Sequence, residues 1–171
     1  GVPFDTLIIQ SYYIIILMPG AKGHACMKMH DFGTQHHNDL TPLNKGKRGI
    51  FMEKVTYFGE TDGISLEQMV RYEKFDMRIK HFHSQYEIFY IIEGERIFFF
   101  NNRGYLAKAG DLILVNSNLI HMTKSVTGSN EGHNRIILYI TREKMEAYDA
   151  LYPSLHLLQF MDDYYGVYHL D

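Results

Sequence analysis

The chain has 171 residues, about one domain's worth, of which 46% are hydrophobic and 22% charged. That excludes a disordered or fibrous polypeptide and allows one sizeable core. A formal net charge of −3 argues against a chain that binds nucleic acid electrostatically on its own. The single cysteine, Cys26, excludes an internal disulfide and any Cys-rich zinc module, and it fits a reducing cytosol.

The first fifty residues are mixed in texture. Leu7–Met18 is apolar but interrupted by Gln10 and Ser11. It is shorter than the roughly 20 residues a spanning helix needs, and no basic segment precedes it as in a signal peptide. It reads as a strand or short buried element, and no membrane partner is expected. A Gly/His/Met-rich stretch follows, with His24, Cys26, Met27, Met29, His30, His36 and His37. Such soft and imidazole donors suit copper or zinc. Their spacing matches no metal module, so the stretch reads as an exposed loop. Lys45, Lys47 and Arg48 make a basic turn too short for a nucleic-acid footprint. Residues 1–50 are read as an N-terminal arm or extension, and a natural start near Met52 is an alternative.

Residues 51–140 are read as a β-barrel domain. In Tyr72–Phe82, Phe75, Met77 and Ile79 alternate with Asp76, Arg78 and Lys80, which predicts a half-buried strand. Further strands are predicted at Tyr86–Glu93, Arg96–Phe100, Tyr105–Lys108, Asp111–Val115, Ile120–Val126 and Arg135–Ile140. Gly- and Asn-rich turns separate them. Short strands so spaced indicate a sandwich or barrel, and the lack of β-α-β alternation excludes a doubly wound parallel sheet. Phe89, Phe98, Phe99 and Phe100 read as core or barrel-wall packing. Residues 141–171 are expected to be a helical segment packed on the barrel. Thr141 is a helix N-cap, followed by Met145, Tyr148, Leu151 and Tyr152 at helical spacing. Pro153 breaks that helix and opens another. The second has an apolar face of Leu157, Met161 and Tyr164, and Gly166 ends it. The last residues read as a strand or linker.

Chemistry concentrates at His81-Phe82-His83-Ser84-Gln85-Tyr86-Glu87. Residues i and i+2 of a strand share a face, so His81 and His83 project together, and Glu87 has the same parity. His121 supplies a fourth group. Two imidazoles and a carboxylate so placed can be three ligands of a divalent metal. The alternative is a metal-free pocket in which His81, His83, Glu87 and His121 bond to one another or to a small molecule. No Gly-rich phosphate loop and no nucleophile elbow is visible.

The motif HxHxxxE, with Gly94 seven residues after Glu87, resembles the first cupin motif, and Gly110 with His121 eleven residues on resembles the second. The resemblance implies a jelly-roll barrel, an all-β double-stranded β-helix, in which His81, His83, Glu87 and His121 hold a divalent ion such as zinc, nickel, iron or manganese. Three positions depart from the pattern. Phe75 stands where a leading glycine is usual, Asn116-Ser117-Asn118 replaces Pro-x-Gly, and Ser125 replaces a final asparagine. The longer string HFHSQYEIFYIIEGERIFFFNNRGYLAKAGDLILVNSNLIHMT is similar to the N-terminal effector-binding domain of AraC-type transcription regulators, and the likeness runs from Val70 to Asp171. It implies a cytoplasmic domain that senses a sugar-like or small polar effector, without a catalytic residue and with no firm need for metal. DNA would be bound through a helix-turn-helix domain outside this chain, and a homodimer is compatible with it. The rival reading is a stand-alone metal-dependent cupin enzyme, such as a dioxygenase, isomerase or sugar-processing enzyme.

Overall fold

Asp62-Gly63 lies between two alternating segments, and a two-residue turn with a glycine at φ +74° joins them. In the computed structural model these are β4 (Glu53–Thr61) and β5 (Ile64–Glu73). Residues 53–170 are described throughout. Before them, the strands β1 (Thr6–Gln10), β2 (Tyr13–Leu17) and β3 (Ala25–Lys28) are described as backbone. They form a three-stranded antiparallel sheet in which Thr6 pairs with Leu17 and Tyr13 with Lys28. The apolar run is therefore strand in its described parts. Cys26 and Met27 fall in β3, which corrects the loop reading at those two positions. His24, Met29, His30, His36, His37 and the basic turn lie outside the described residues.

The remaining strands are β6 (Tyr86–Glu93), β7 (Glu95–Phe100), β8 (Arg103–Lys108), β9 (Leu112–Val115), β10 (His121–Lys124), β11 (Glu131–Ile140) and β12 (Gly166–Tyr168). A six-stranded sheet has the order β12-β9-β6-β11-β5-β4, and a three-stranded sheet the order β10-β7-β8. All pairs are antiparallel. The two sheets close face to face as a cupin jelly-roll barrel, with its helices at the C-terminal end of the chain. Gly94 makes the tight turn from β6 to β7. It has φ +84°, and a Cβ there would stand 2.7 Å from the Gly132 carbonyl oxygen, so only glycine fits.

Alternation along β6 sorts two cores. Tyr86 and Ile88 point outward, with Leu112, Leu114, Leu138 and Ile140, to meet Met145 and Met161 of the helices. Phe89 and Ile91 point inward, with Phe98, Phe100, Ile113, Val115 and Ile137. Both faces of β9 are covered, which is why LILV is apolar without a break. Phe89, Phe98 and Phe100 fill the barrel, and Phe99 lies half-buried on the opposite face.

Helix α1 (Arg142–Leu151) begins at Thr141, whose side chain accepts from the Lys144 amide, as the N-cap reading requires. Pro153 opens a single 3-10 turn, Pro153–Leu155. His156, at φ +49°, interrupts the chain before α2 (Leu157–Asp163) starts. Met161 is buried as expected, but Tyr164 lies past the helix end and 36% exposed. Gly166 does not end the helix; it opens β12, which pairs with β9. The helices are fastened by the Tyr86 hydroxyl, which donates to Asp162 Oδ1 at 2.6 Å and accepts from Arg142 Nη1 at 2.9 Å.

The strand predicted at Tyr72–Phe82 is a correction. Only Tyr72 and Glu73 belong to β5, and residues 74–85 run extended but irregular beside β10. Their backbone pairs with β10 at isolated points, Met77 N–H to Thr123 O at 3.1 Å and a two-way His81–His121 bridge. Elsewhere side chains take the place of the ladder. Arg96 and Ser125 bond the Phe75 carbonyl, and Asp76 accepts from the Ser125 amide. Ile79 is 77% exposed, so the apolar alternation that holds at Phe75 and Met77 fails there.

Candidate ligand and metal site

Three elements converge at one end of the barrel. The His81–His121 bridge sets His81 and His83 beside β10, with His81 N–H to His121 O at 3.0 Å and the return bond at 2.9 Å. The Asn116–Asn118 turn clamps the same segment. The Asn118 amide donates to the His83 carbonyl at 2.7 Å, and the Ser117 hydroxyl to the Ser84 carbonyl at 2.7 Å. Asn118 takes φ +61°, a left-handed conformation that asparagine tolerates better than most residues. That explains how this turn works without the usual glycine. Glu87 comes from β6 on the inward parity and is only 4% exposed.

All four sequence-predicted residues therefore meet. One ligand atom from each of His81, His83 and His121 lies within 4.8 Å of the others. Glu87 Oε2 is 3.1 Å from His83 Nε2 and 3.6 Å from His121 Nε2. The ring centroids of His81 and His121 are 4.2 Å apart, and those of His83 and His121 5.1 Å.

The far side of two rings fixes their tautomers. His83 Nδ1 lies 2.9 Å from the Gln85 carbonyl and His121 Nδ1 2.8 Å from the Leu119 carbonyl. A carbonyl can only accept, so each Nδ1 carries the proton. In a neutral ring, Nε2 then presents a lone pair toward the Glu87 carboxylate. Lone pair facing lone pair in a buried site is repulsive unless a cation lies between them. That cation is either a proton on the ring or a metal ion. His121 Nε2 and His81 Nδ1 are moreover buried without a hydrogen-bond partner. A backbone carbonyl behind each ring is also the usual support of a metal-bound histidine. Three imidazoles and a carboxylate thus fit a divalent ion of the zinc, iron, manganese or nickel type.

The electrostatics agree. Burial acts to raise the Glu87 pKa, but the imidazoles of His121 and His83 outweigh it and hold the carboxyl well below its usual range. The bond to Glu87 raises His83. Burial, together with His121, lowers His81. Tyr139 borders the site, its ring 5.5 Å from that of His83 and its backbone opposite Glu87. Burial and the Glu87 charge raise its phenol pKa. Sequence reasoning missed Tyr139, although its parity with Ile137 on β11 places it on the inner face.

The fold defines the class, a cupin barrel with an inward cluster of histidines and a glutamate. A family model described as AraC-like ligand binding domain matches residues 68–156, and the chain belongs to that family. No curated protein matches the sequence. Among solved structures, the chain is similar to an RmlC-like cupin family protein with a double-stranded β-helix fold from Methanocaldococcus jannaschii. That pair shares 15% identity, 63% of this chain and 97% of the other being covered, with a TM-score of 0.46. A cupin superfamily protein from Desulfitobacterium hafniense shares 9% identity over 56% of this chain and 83% of its own, with a TM-score of 0.47. A predicted oxalate decarboxylase from Thermotoga maritima shares 25% identity over 44% of this chain and 64% of its own, with a TM-score of 0.39. Among the described residues no helix is long and apolar enough to cross a membrane.

Proposed function

We propose that this domain senses a small polar molecule on behalf of an AraC-type transcription regulator acting in the cytoplasm. The observation that carries the reading is the family match over residues that include the whole inward cluster, His81, His83, Glu87 and His121. On this reading residues 51–140 are the sensing barrel, residues 141–171 its helical attachment and residues 1–50 the arm. DNA contact falls to a separate helix-turn-helix domain, and the regulator works as a homodimer.

His81, His83, His121 and Glu87 would hold the divalent ion, which when bound supplies a positive charge able to take an oxygen of the ligand. The chain's own contributions are distinct. The Gln85 and Leu119 carbonyls orient the rings. Tyr139 offers a neutral phenol at the rim, and Phe89, Phe98 and Phe100 keep the interior dry. A sensor needs only that its ligand prefer one of two conformations. Tyr139 is the one further titratable group described beside the four residues, so it is the family match rather than the cluster that favours binding over turnover.

The test is metal analysis of the purified chain beside a thermal-shift screen of sugars and small acids, with product analysis of every hit. A ligand that prefers the native state raises Tm. Recovery of a stabilising hit unchanged supports the sensor. Chemical conversion of a hit, abolished in His121→Ala, would establish the metal-dependent cupin enzyme instead.

A further inference from the structure

The barrel has a second polar end. On β7, Arg96 lies four residues before Phe100, and Phe100 pairs with His121. At the rise of a strand this separates Arg96 from the histidine end by about 13 Å. On β11, His133 and Arg135 share the inward parity of Ile137, so the three groups gather at the end away from His81, His83 and His121.

Arg96 is 1% exposed, and no carboxylate lies within ion-pair distance of it among the described residues. Its Nε donates to Thr123 Oγ1, and its Nη1 to the Phe75 carbonyl and Ser125 Oγ. Its Nη2 has no acceptor. Arg135 is 6% exposed and pairs through Nη2 with Glu67 at 2.9 Å, leaving Nη1 buried and unpartnered. His133, 4% exposed, leaves Nδ1 buried and unpartnered. The remaining charges nearby are engaged. Arg71 bonds Glu53 and lies over the Phe75 ring, and Asp76 accepts from the Ser125 amide and lies 3.5 Å from Lys74.

A fully buried guanidinium without a counter-ion is costly and is rare unless paired. Water could accept from Nη2 but would add no negative charge to that of Asp76, which acts on Arg96 without contacting it. A carboxylate satisfies both demands, because its two oxygens match the planar donors of a guanidinium. We propose that this end of the barrel is an anion site in which Arg96 Nη2 and Arg135 Nη1, with His133 Nδ1 beside them, take the carboxylate of a small organic acid. Burial lowers Arg96 to about 10, so it stays charged at neutral pH.

The existence of the site does not depend on a metal at the histidines. Its use as the effector's anchor rests on the sensing reading, and binding and conversion are read separately. The full chain is titrated with butyrate, with butyramide and chloride as controls, before and after chelator treatment. Butyrate is expected to raise Tm by about 3–6 °C at ten times its Kd, and butyramide is expected to leave Tm unchanged. Arg96→Met is expected to abolish the response, and chelation to leave it intact. Arginine side-chain NMR of the unmutated chain keeps the test open if that variant fails to fold, because butyrate should then move the buried Arg96 Nε–H resonance. Equal responses to butyrate and butyramide, or no shift in either measurement, would overturn the proposal in favour of internal water. Butyrate bound and slowly consumed would leave the anion site standing and remove the sensing reading.

Discussion

Acid should loosen the arginine end of the barrel through His133. Burial, with the charges of Arg96, Arg71 and Arg135 around it, pushes the His133 pKa from 6.5 down to about 3. In the unfolded chain the ordinary value returns. Between these two values the folded state binds fewer protons than the unfolded one. Stability is therefore full above pH 6.5 and falls as the pH drops, by about 1.4 kcal/mol per unit, until the folded value is reached. From pH 8 to pH 4.5 the loss is about 2.7 kcal/mol, or about 5–10 °C in Tm. His81, with a lowered pKa, adds to the slope, and His83, with a raised one, opposes it. The carboxylates that face this region, Glu67 on Arg135 and Asp76 near Arg96, are present in both proteins compared. Urea unfolding of the unmutated chain and of His133→Gln, at half-unit steps over that interval, isolates the His133 contribution. The difference in unfolding free energy should change by about 2.7 kcal/mol across the range. Two parallel profiles, differing by a constant, would refute the reasoning.

Two further substitutions test the frame. Thr141→Ala removes the side-chain acceptor of the Lys144 amide and should cost about 1 kcal/mol, read as a fall in Tm of about 2–4 °C with the fold retained. Gly132→Ala sets a Cβ 1.8 Å from the Arg71 carbonyl oxygen where β11 crosses β5. It should destabilise by about 3 kcal/mol or more, seen as loss of soluble folded chain beside the unmutated control.

The jelly roll was legible from β6 onward because its short apolar and β-branched or aromatic strands are separated by unambiguous Gly- and Asn-rich turns. Tyr86–Glu93 was placed to the residue. The hairpin β4–β5 was not assigned, although Asp62-Gly63 between two alternating runs carried the signal. The error at residues 74–85 has a different source. Alternation reports which side is apolar, not whether backbone partners exist, and here Arg96, Ser125 and Asp76 occupy the bonding groups. Parity and spacing alone brought His81, His83 and Glu87 together, and the resemblance to the second cupin motif added His121 to them. The second polar end was not legible, because an isolated Arg in RIFFF or a His in EGHNR reads as surface until strand parity is compared with Phe98 and Ile137. Two of the three departures from the cupin pattern, Phe75 and Ser125, fall at this end. Phe75 lies under Arg71, and Ser125 receives Arg96.

Tyr86 and Glu87 are consecutive on β6, and their side chains leave the strand in opposite directions. The first is tied to Asp162 and Arg142 of the helices and the second to the histidines. A strand in the middle of a six-stranded sheet cannot bend between adjacent residues without breaking bonds to both β9 and β11. Pocket and helices are thus separated by the thickness of one peptide unit, with no intervening joint to absorb displacement. On the sensing reading, a ligand that pulled on Glu87 by a fraction of an ångström would move the anchor of α1 and α2 by a similar distance. On the proposed sensing function, signal transmission would in that sense be a question of stiffness rather than of reach.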